Sequence, residues 1–158
     1  MNNGNDMLEL GTSLGISTMF IGLGAADSSI ITIEGCSSLA GIARENFKSS
    51  IIGNITLMEG DFEDHLPGLN DGGFNPSLVF VDGNHSRKPV LRYFSFLKKM
   101  VAADSVIIFD DINYSFEMSE AWNEIKTDPQ VSVSIDIFRM GFVFFRKGMA
   151  KQDFKIRY

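Results

Sequence analysis

Residues 8–18 read Leu-Glu-Leu-Gly-Thr-Ser-Leu-Gly-Ile-Ser-Thr. The apolar beginning predicts a short strand, and Gly11 and Gly15 predict a tight turn, because glycine adopts backbone conformations that a side chain forbids. Ser17 and Thr18 are typical of a helix cap or first turn, so a helix is expected next. Such a turn leaves backbone N–H groups unpaired at the carboxyl end of a strand, where open α/β sheets bind ligands. The stretch therefore predicts a cradle for a nucleotide or nucleoside.

The composition is that of an ordinary globular domain. The chain has 158 residues, of which 44% are hydrophobic and 22% are charged, so we expect a single domain over residues 1–158. The formal net charge of −6 argues against a nucleic-acid surface. Cys36 is the single cysteine, the first residues lack a basic leader, and no apolar run is long enough to cross a membrane. These features predict a cytoplasmic protein without a membrane span.

Apolar runs alternate with helical patterns along the rest of the chain. Strands are predicted at 7–10, 29–34, 55–58, 78–81, 106–109, 131–138 and 142–146. Helices are predicted at 16–25, 37–47, 62–70, 89–101 and 115–126. This alternation predicts an α/β fold with a doubly wound, mostly parallel sheet. The last two strands are predicted to form a C-terminal antiparallel hairpin, and residues 149–158 a further edge.

Acidic residues stand at or beside the carboxyl ends of the five predicted parallel strands. They are Glu9, Glu34, Asp61, Asp82, Asp110 and Asp111. One such acid is a common turn residue. Carboxylates from five strands that converge on one crevice would repel one another unless a cation or a hydroxyl-bearing ligand lay between them. The pattern therefore indicates a ligand site at this edge of the sheet.

The spacing of the first two motifs separates two kinds of cofactor. Glu34 follows Gly11 by roughly 20 residues, the offset at which an acid meets ribose hydroxyls in dinucleotide folds. The dinucleotide fingerprint is Gly-x-Gly-x-x-Gly, and here Ser13 stands where its second glycine is expected. An NAD-binding oxidoreductase is therefore the weaker enzyme hypothesis.

Residues 9–18 resemble the cofactor motif of class I S-adenosylmethionine-dependent methyltransferases. Ile33-Glu34 is similar to their ribose-binding acid, and Glu59-Gly60-Asp61 to the segment that meets the adenine amino group. Residues 81–86 and 107–111 resemble the metal-dependent O-methyltransferases of the catechol and macrolide-sugar type. The resemblance implies a Rossmann-like methyltransferase sheet with a reversed hairpin at one edge. Family members usually carry helices before the first strand, so it also implies that the N-terminal cap helices are missing.

The resemblance implies S-adenosylmethionine as the cofactor. Glu34 would hold the ribose, Asp61 the adenine, and the Gly11–Gly15 turn the amino-acid part. The full set of implied cofactor residues is Glu9, Gly11, Thr12, Ser13, Gly15, Ser17, Glu34, Gly35, Gly60, Asp61, Phe62 and Asp82.

A divalent metal is the second implied group. Mg²⁺ would be held by Asp82, Asp110 and Asp111, since hard cations prefer carboxylate oxygens and lower the pKa of a bound hydroxyl. Asp111 has the alternative of capping the following segment. His85 stands where catechol-type enzymes place a lysine base, and histidine serves as a base near neutral pH. His85 and Asp82 are therefore the predicted catalytic residues, with a loop or substrate contact as the alternative for His85.

The predicted reaction is methyl transfer to a hydroxyl oxygen of a small-molecule acceptor, whether a phenol, a sugar or another metabolite. The alternative from a different class is an N-terminally truncated, non-catalytic binding or interaction module. A homodimer is predicted from an exposed aromatic stripe on the hairpin. Its members are Phe138, Phe142, Phe144 and Phe145.

Overall fold

The structure is a computed structural model that describes residues 6–50 and 52–157. Its strands are β1 (Met7–Leu10), β2 (Ile30–Glu34), β3 (Ile55–Glu59), β4 (Leu78–Val81), β5 (Val106–Phe109), β6 (Val133–Asp136), β7 (Gly141–Phe144) and β8 (Gln152–Lys155). Its helices are α1 (Ile16–Gly24), α2 (Ser37–Ser49), α3 (Phe62–Asp71), α4 (Arg87–Met100) and α5 (Phe116–Thr127). None of these helices, in the part of the chain that the structure describes, is long and apolar enough to cross a membrane.

The strands form one sheet in the order β3-β2-β1-β4-β5-β7-β6-β8. β7 runs antiparallel to both of its neighbours, and the other pairs are parallel. The predicted doubly wound, mostly parallel sheet with a C-terminal antiparallel pair is confirmed. The strand order reverses at β1, which lies between β2 and β4, and ligands of open α/β sheets bind at such a switch point.

Helices lie on both faces of the sheet because parallel connections are right-handed. Leu8 and Leu10 of β1 point to one face and join a core formed with α3, α4 and α5. Glu9, between them, points to the opposite face and bonds to hydroxyls at the start of α1. α1 and α2 pack on this second face against β2 and β3.

The C-terminal hairpin is shorter than its apolar pattern predicts. β6 and β7 span four residues each, and the left-handed backbone of Phe138, with φ of 77°, ends the extended segment. The predicted further edge is confirmed, since β8 pairs in parallel with β6. The predicted exposed aromatic stripe is wrong. Phe145 is buried, and β7 lies inside the sheet, so Phe142 and Phe144 are only partly exposed while Phe138 is exposed.

The close approach of β1 and β4 makes Gly11 the position where an added methyl group costs most. A Cβ at Gly11 would lie 1.9 Å from the carbonyl oxygen of Asp82, and φ of 106° disfavours any side chain. We expect Gly11→Ala to lower the free energy of unfolding by more than about 2 kcal/mol. The measurement is urea denaturation followed by circular dichroism.

Gly41→Ala is the matched control for Gly11→Ala. A Cβ at Gly41, inside α2, meets nothing within 4 Å. This variant should be more stable by roughly 0.5–1 kcal/mol, because alanine favours a helix interior. Equal midpoints for Gly11→Ala and the unaltered chain would contradict the packing described at this turn.

Candidate functional site

The turn between β1 and α1 is fixed by backbone hydrogen bonds. The N–H groups of Gly11 and Thr12 both donate to the carbonyl oxygen of Ile33, at 3.0 and 3.3 Å. Gly15 N donates to Thr12 O at 2.8 Å, and Gly15 precedes α1 in a left-handed conformation with φ of 81°. The turn therefore sits directly over the end of β2, which brings the predicted ribose acid next to it.

Glu34 is held at this turn by two backbone donors. Ser13 N donates to Glu34 Oε2 and Cys36 N donates to Glu34 Oε1, each at 2.8 Å. Each carboxylate oxygen keeps a second lone pair for a ligand. The two bonds fix the position of the carboxylate, so Glu34 is an oriented acceptor at the mouth of the turn.

Glu9 holds the same turn in place from the buried side, by accepting hydrogen bonds. Its Oε1 accepts a bond from Ser17 Oγ at 2.6 Å, and its Oε2 accepts from Thr32 Oγ1 at 2.6 Å and from Thr18 Oγ1. Thr32 is in turn 2.6 Å from Thr12 Oγ1. Glu9 is completely buried, and burial raises the pKa of its carboxyl above the ordinary value of 4.5 despite these three donors. The network joins β1, β2 and α1.

A cleft of about 300 Å³ lies over the ends of the first four strands. It is lined by Gly11, Ser13, Glu34, Gly35, Asp61, Phe62, Asp82, Gly83, Asn84 and Tyr93. The first seven of these are predicted cofactor residues, which the fold brings together from four separate strand ends. The last three were not predicted. Gly83 and Asn84 follow Asp82 directly, which is a usable sequence signal, whereas Tyr93 lies in α4 and has no such link to a strand end.

Tyr93 and Phe62 form the aromatic wall of this cleft. Their rings meet edge to face with centroids 5.2 Å apart. A Cβ at Gly83 would lie 2.7 Å from the Phe62 ring, so the absence of a side chain at Gly83 leaves room for this ring. Asp61 precedes α3 without capping it through its side chain, and it is exposed at the rim. An aromatic wall beside an exposed carboxylate suits a planar heterocycle with an amino group.

The other five predicted cofactor residues do not line the cleft. Glu9 and Thr12 are buried beneath the turn, and Ser17 donates its hydroxyl to Glu9. A Cβ at Gly15 would meet the Phe47 ring, and one at Gly60 the His65 ring. These residues shape the turns that carry the cleft.

His85 and Asp82, the predicted catalytic pair, are close together. His85 Nε2 lies 3.5 Å from Asp82 Oδ1, and the His85 ring centroid is 5.9 Å from that of Tyr114. Burial raises the pKa of Asp82, the negative charges of Asp110 and Asp111 raise it further, and His85 opposes them. The predicted acids thus act on one another across the ends of β4 and β5.

The three predicted metal ligands are not arranged as a metal site. Among the residues that the structure describes, no group of three or more histidine, cysteine or acidic side chains could hold a metal ion. Asp111 is instead paired with Arg139, whose Nη2 and Nε donate to Asp111 Oδ1 at 2.9 and 3.3 Å. The arrangement does not fit the implied Mg²⁺.

Backbone strain is concentrated at this edge of the sheet. Over the described residues, the non-glycine residues with positive φ are Ser13 (50°), Asn84 (48°), Asp111 (52°) and Phe138 (77°). They follow β1, β4, β5 and β6, whose carboxyl ends share one edge. Such conformations cost about 1–3 kcal/mol each and cluster at functional sites. The residues with positive φ therefore lie at the same edge of the sheet as the cleft and the acidic residues.

Comparison with known proteins shows the family to which this chain belongs. A family model described as a methyltransferase domain matches residues 8–112. This chain belongs to the methyltransferase domain family. The class I methyltransferase resemblance predicted from residues 9–18 is thereby confirmed, and the matched segment carries the whole cleft. No curated protein matches the sequence.

Several solved methyltransferases share the fold. A Bacillus cereus O-methyltransferase in complex with SAH is 21% identical, with a TM-score of 0.75 over 89% of this chain and 74% of that one. The O-methyltransferase TomG from Streptomyces achromogenes, in complex with SAM, is 19% identical, with a TM-score of 0.76 over 90% of this chain and 73% of that one. A Geobacter metallireducens precorrin-6y C5,15-methyltransferase is 15% identical, with a TM-score of 0.73 over 91% of this chain and 81% of that one. At these identities the likeness establishes the fold.

The buried Glu9 carboxyl predicts a defined pH dependence of stability. Because its pKa is raised by folding, the folded state binds more protons than the unfolded state between pH 4.5 and the raised pKa. Glu9 therefore makes the protein less stable as pH rises through this window. Glu9→Gln removes this titration. The difference in unfolding free energy between the unaltered chain and Glu9→Gln should therefore fall, as pH rises through this window, by up to about 1.4 kcal/mol per pH unit.

Urea denaturation at half-unit steps from pH 4.5 to 8 measures this difference. Glu45→Gln is the control, since Glu45 is exposed on α2 and pairs only with Lys48 among the bonds described for its carboxylate. The unfolding free energy of Glu45→Gln should change with pH in the same way as that of the unaltered chain. A pH-independent difference for Glu9→Gln would contradict a raised Glu9 pKa.

Proposed function

We propose that this chain is an S-adenosylmethionine-dependent methyltransferase that transfers a methyl group to a hydroxyl oxygen of a small molecule or sugar. The observation that carries the proposal is the Glu34 carboxylate, fixed by Ser13 N and Cys36 N beside the glycine turn. Membership of the methyltransferase domain family and fold neighbours with bound SAM or SAH support this cofactor. Hydroxyl specificity is drawn from the two O-methyltransferases among those neighbours.

The cleft suits the proposed cofactor. Glu34 would accept hydrogen bonds from the ribose hydroxyls, Asp61 would accept one from the adenine amino group, and the Phe62–Tyr93 wall would hold the ring. Gly11 approaches Asp82 so closely that no side chain fits there, and this bare stretch of backbone would face the amino-acid part of the cofactor. S-adenosylmethionine supplies an electrophilic methyl group on a sulfonium centre.

His85 is the proposed base. His85 would accept the proton of the acceptor hydroxyl and become an imidazolium, while the bound cofactor would supply the methyl group, one carbon–oxygen bond forming as one carbon–sulfur bond breaks. The Asp82 carboxylate at 3.5 Å stabilises that imidazolium. The remaining contribution of the protein is orientation, since the transfer is a single displacement that needs the oxygen in line with the methyl group.

Metal dependence stays a prediction and enters no step of this mechanism. The pairing of Asp111 with Arg139 opposes it. We also propose a single domain over residues 1–158, a cytoplasmic location and a small-molecule acceptor, on the composition and charge of the chain.

Calorimetric titration with S-adenosylmethionine tests the cofactor directly. We expect the unaltered chain to bind, and Glu34→Ala to weaken binding by about 10–100-fold, because hydrogen bonds to a charged group contribute about 1.5–3 kcal/mol. Glu45→Ala serves as the control, since Glu45 is exposed on α2 and its carboxylate pairs with Lys48. Titration with NAD⁺ under the same conditions should give no heat.

Two results would overturn the cofactor proposal. Binding of NAD⁺ in preference to S-adenosylmethionine would favour the oxidoreductase hypothesis. Binding of neither, by a chain with a cooperative unfolding transition, would favour a non-catalytic interaction module.

Mg²⁺ titration tests the metal prediction separately. We expect the unaltered chain to bind Mg²⁺ no tighter than about 1 mM, because Arg139 occupies Asp111. Arg139→Ala should tighten Mg²⁺ binding several-fold. The double variant Arg139→Ala/Asp110→Asn should lose that gain. The control double variant Arg139→Ala/Asp104→Asn should keep it, since Asp104 is exposed. Tight binding to the unaltered chain that Asp110→Asn removes would restore the metal site predicted from the sequence.

A further inference from the structure

A second cavity lies at the edge of the sheet where the parallel strands begin, opposite the cleft over the strand ends. Three loops surround it: residues 101–105 lead into β5, residues 128–132 lead into β6, and residues 145–151 join β7 to β8. The last turn of α4 adds Lys98. The cavity has a volume of about 390 Å³, which lies within the range of sites for small molecules. We call it the basal pocket.

The charged side chains that line the basal pocket are all cationic. They are Lys98, Arg146, Lys147 and Lys151, and no acidic residue that the structure describes lines the pocket with them. This contrasts with the chain as a whole, whose formal net charge is −6. A concave surface with charges of one sign raises the local concentration of ions of the opposite sign. The charge of the pocket therefore favours an anionic ligand.

Asp128, which directly precedes the second loop's Pro129, holds two of these lysines in place. Its Oδ2 accepts a hydrogen bond from Lys98 Nζ at 2.7 Å, and its backbone carbonyl oxygen accepts one from Lys151 Nζ at 2.8 Å. Its Oδ1 accepts from the backbone N–H of Gln130 at 2.9 Å. Lys98 is also favoured by the dipole at the carboxyl end of α4. The single carboxylate of Asp128 balances at most one of the two lysine charges.

Arg146 and Lys147 have no such partner. Their side chains are exposed and form no salt bridge or hydrogen bond with any residue that the structure describes. Asp153, the acid that follows them along the chain, is bonded to Lys126 instead, and the exposed Asp104 of the first loop does not line the pocket. Both cations lie outside the helices, so no helix dipole accounts for their position. Their donors therefore point to a ligand that accepts hydrogen bonds and carries negative charge.

Part of the lining of the basal pocket is apolar. Val131 and Phe145 are buried there, and Val101 and Met149 also line the pocket. A small inorganic ion would leave these side chains without contact. A ligand with an anionic group and an apolar body would contact both the cations and these side chains, and burial of its apolar area would add to its affinity.

We propose that the basal pocket binds a small molecule that carries a phosphate ester on an apolar body. A phosphate ester has a charge of about −1.5 to −2 at pH 7, which matches the cations that Asp128 does not balance. The guanidinium of Arg146 is suited to binding two phosphate oxygens at once, and the ammonium of Lys147 is suited to a third. An extended polyanion fits less well, because the chain outside the pocket is strongly negative.

Calorimetric titration of the full chain with phenyl phosphate, at neutral pH and low salt, tests the proposal. We expect the unaltered chain to bind, and Arg146→Gln/Lys147→Gln to weaken binding by at least about tenfold, because two charged donors are removed. Lys48→Gln/Lys88→Gln is the matched control, since it removes the same charge from exposed positions outside the pocket, and it should bind as the unaltered chain does. Circular dichroism verifies that each variant is folded. No binding by the unaltered chain, or equal binding by Arg146→Gln/Lys147→Gln, overturns the proposal.

Three further titrations test the class of ligand. Benzoate carries a single charge and inorganic phosphate lacks the apolar body, so each should bind at least several-fold more weakly than phenyl phosphate. Benzoate that binds as tightly would overturn the assignment to a phosphate ester, and inorganic phosphate that binds as tightly would overturn the contact with an apolar body. A single-stranded oligonucleotide that binds more tightly, and loses this affinity in Arg146→Gln/Lys147→Gln, would overturn the small-molecule ligand in favour of nucleic acid. No titration here involves S-adenosylmethionine, so failure leaves the proposed function untouched.

Discussion

The hydrogen bonds that the buried Glu9 carboxylate accepts are the constraint on which the cleft over the strand ends depends. One carboxylate, without access to water, gathers hydroxyls from the first turn of α1 and from β2. An unpaired buried carboxylate is costly, so the strand, the helix and the neighbouring strand are ordered together or not at all. The fixed conformation of the Gly11–Gly15 turn is a consequence of these bonds. Its flexible residues are held because the segments on both sides of it are fixed to the same side chain.

The regular part of the fold could be predicted from the sequence because its signals are local. β4 and β5 are continuous apolar runs, and their predicted bounds are those observed. The hairpin bounds could not be predicted this way. Apolar residues continue past both strands, and what ends β6 is the left-handed Phe138, whose amide donates to Asp136 Oδ1. Likewise, the burial of Phe145 depends on where β7 is inserted in the sheet, which hydropathy does not encode.

Some residues of the candidate site could likewise be predicted from the sequence, and others could not. Residues within the motifs, such as Gly11, Glu34 and Asp82, could be assigned to the cleft from their positions at strand ends. The role of Glu9 could not, because a strand-end acid points either toward the crevice or beneath it, and the alternation of side chains decides which. The pairing of Asp111 with Arg139 joins residues from two distant turns. Only the folded chain brings that guanidinium to the acid.

β8 has a consequence for how the protein behaves at high concentration. It is exposed along its whole length and leaves one edge of its backbone unpaired, which is a template for further strands. Its sequence, Gln-Asp-Phe-Lys, places charges along that edge, and Asp153 is anchored by Lys126 and Ser134. Strand addition in register would align like charges, so the edge is guarded against amyloid-type growth. The charges of β8 thereby disfavour propagation of the sheet from this edge.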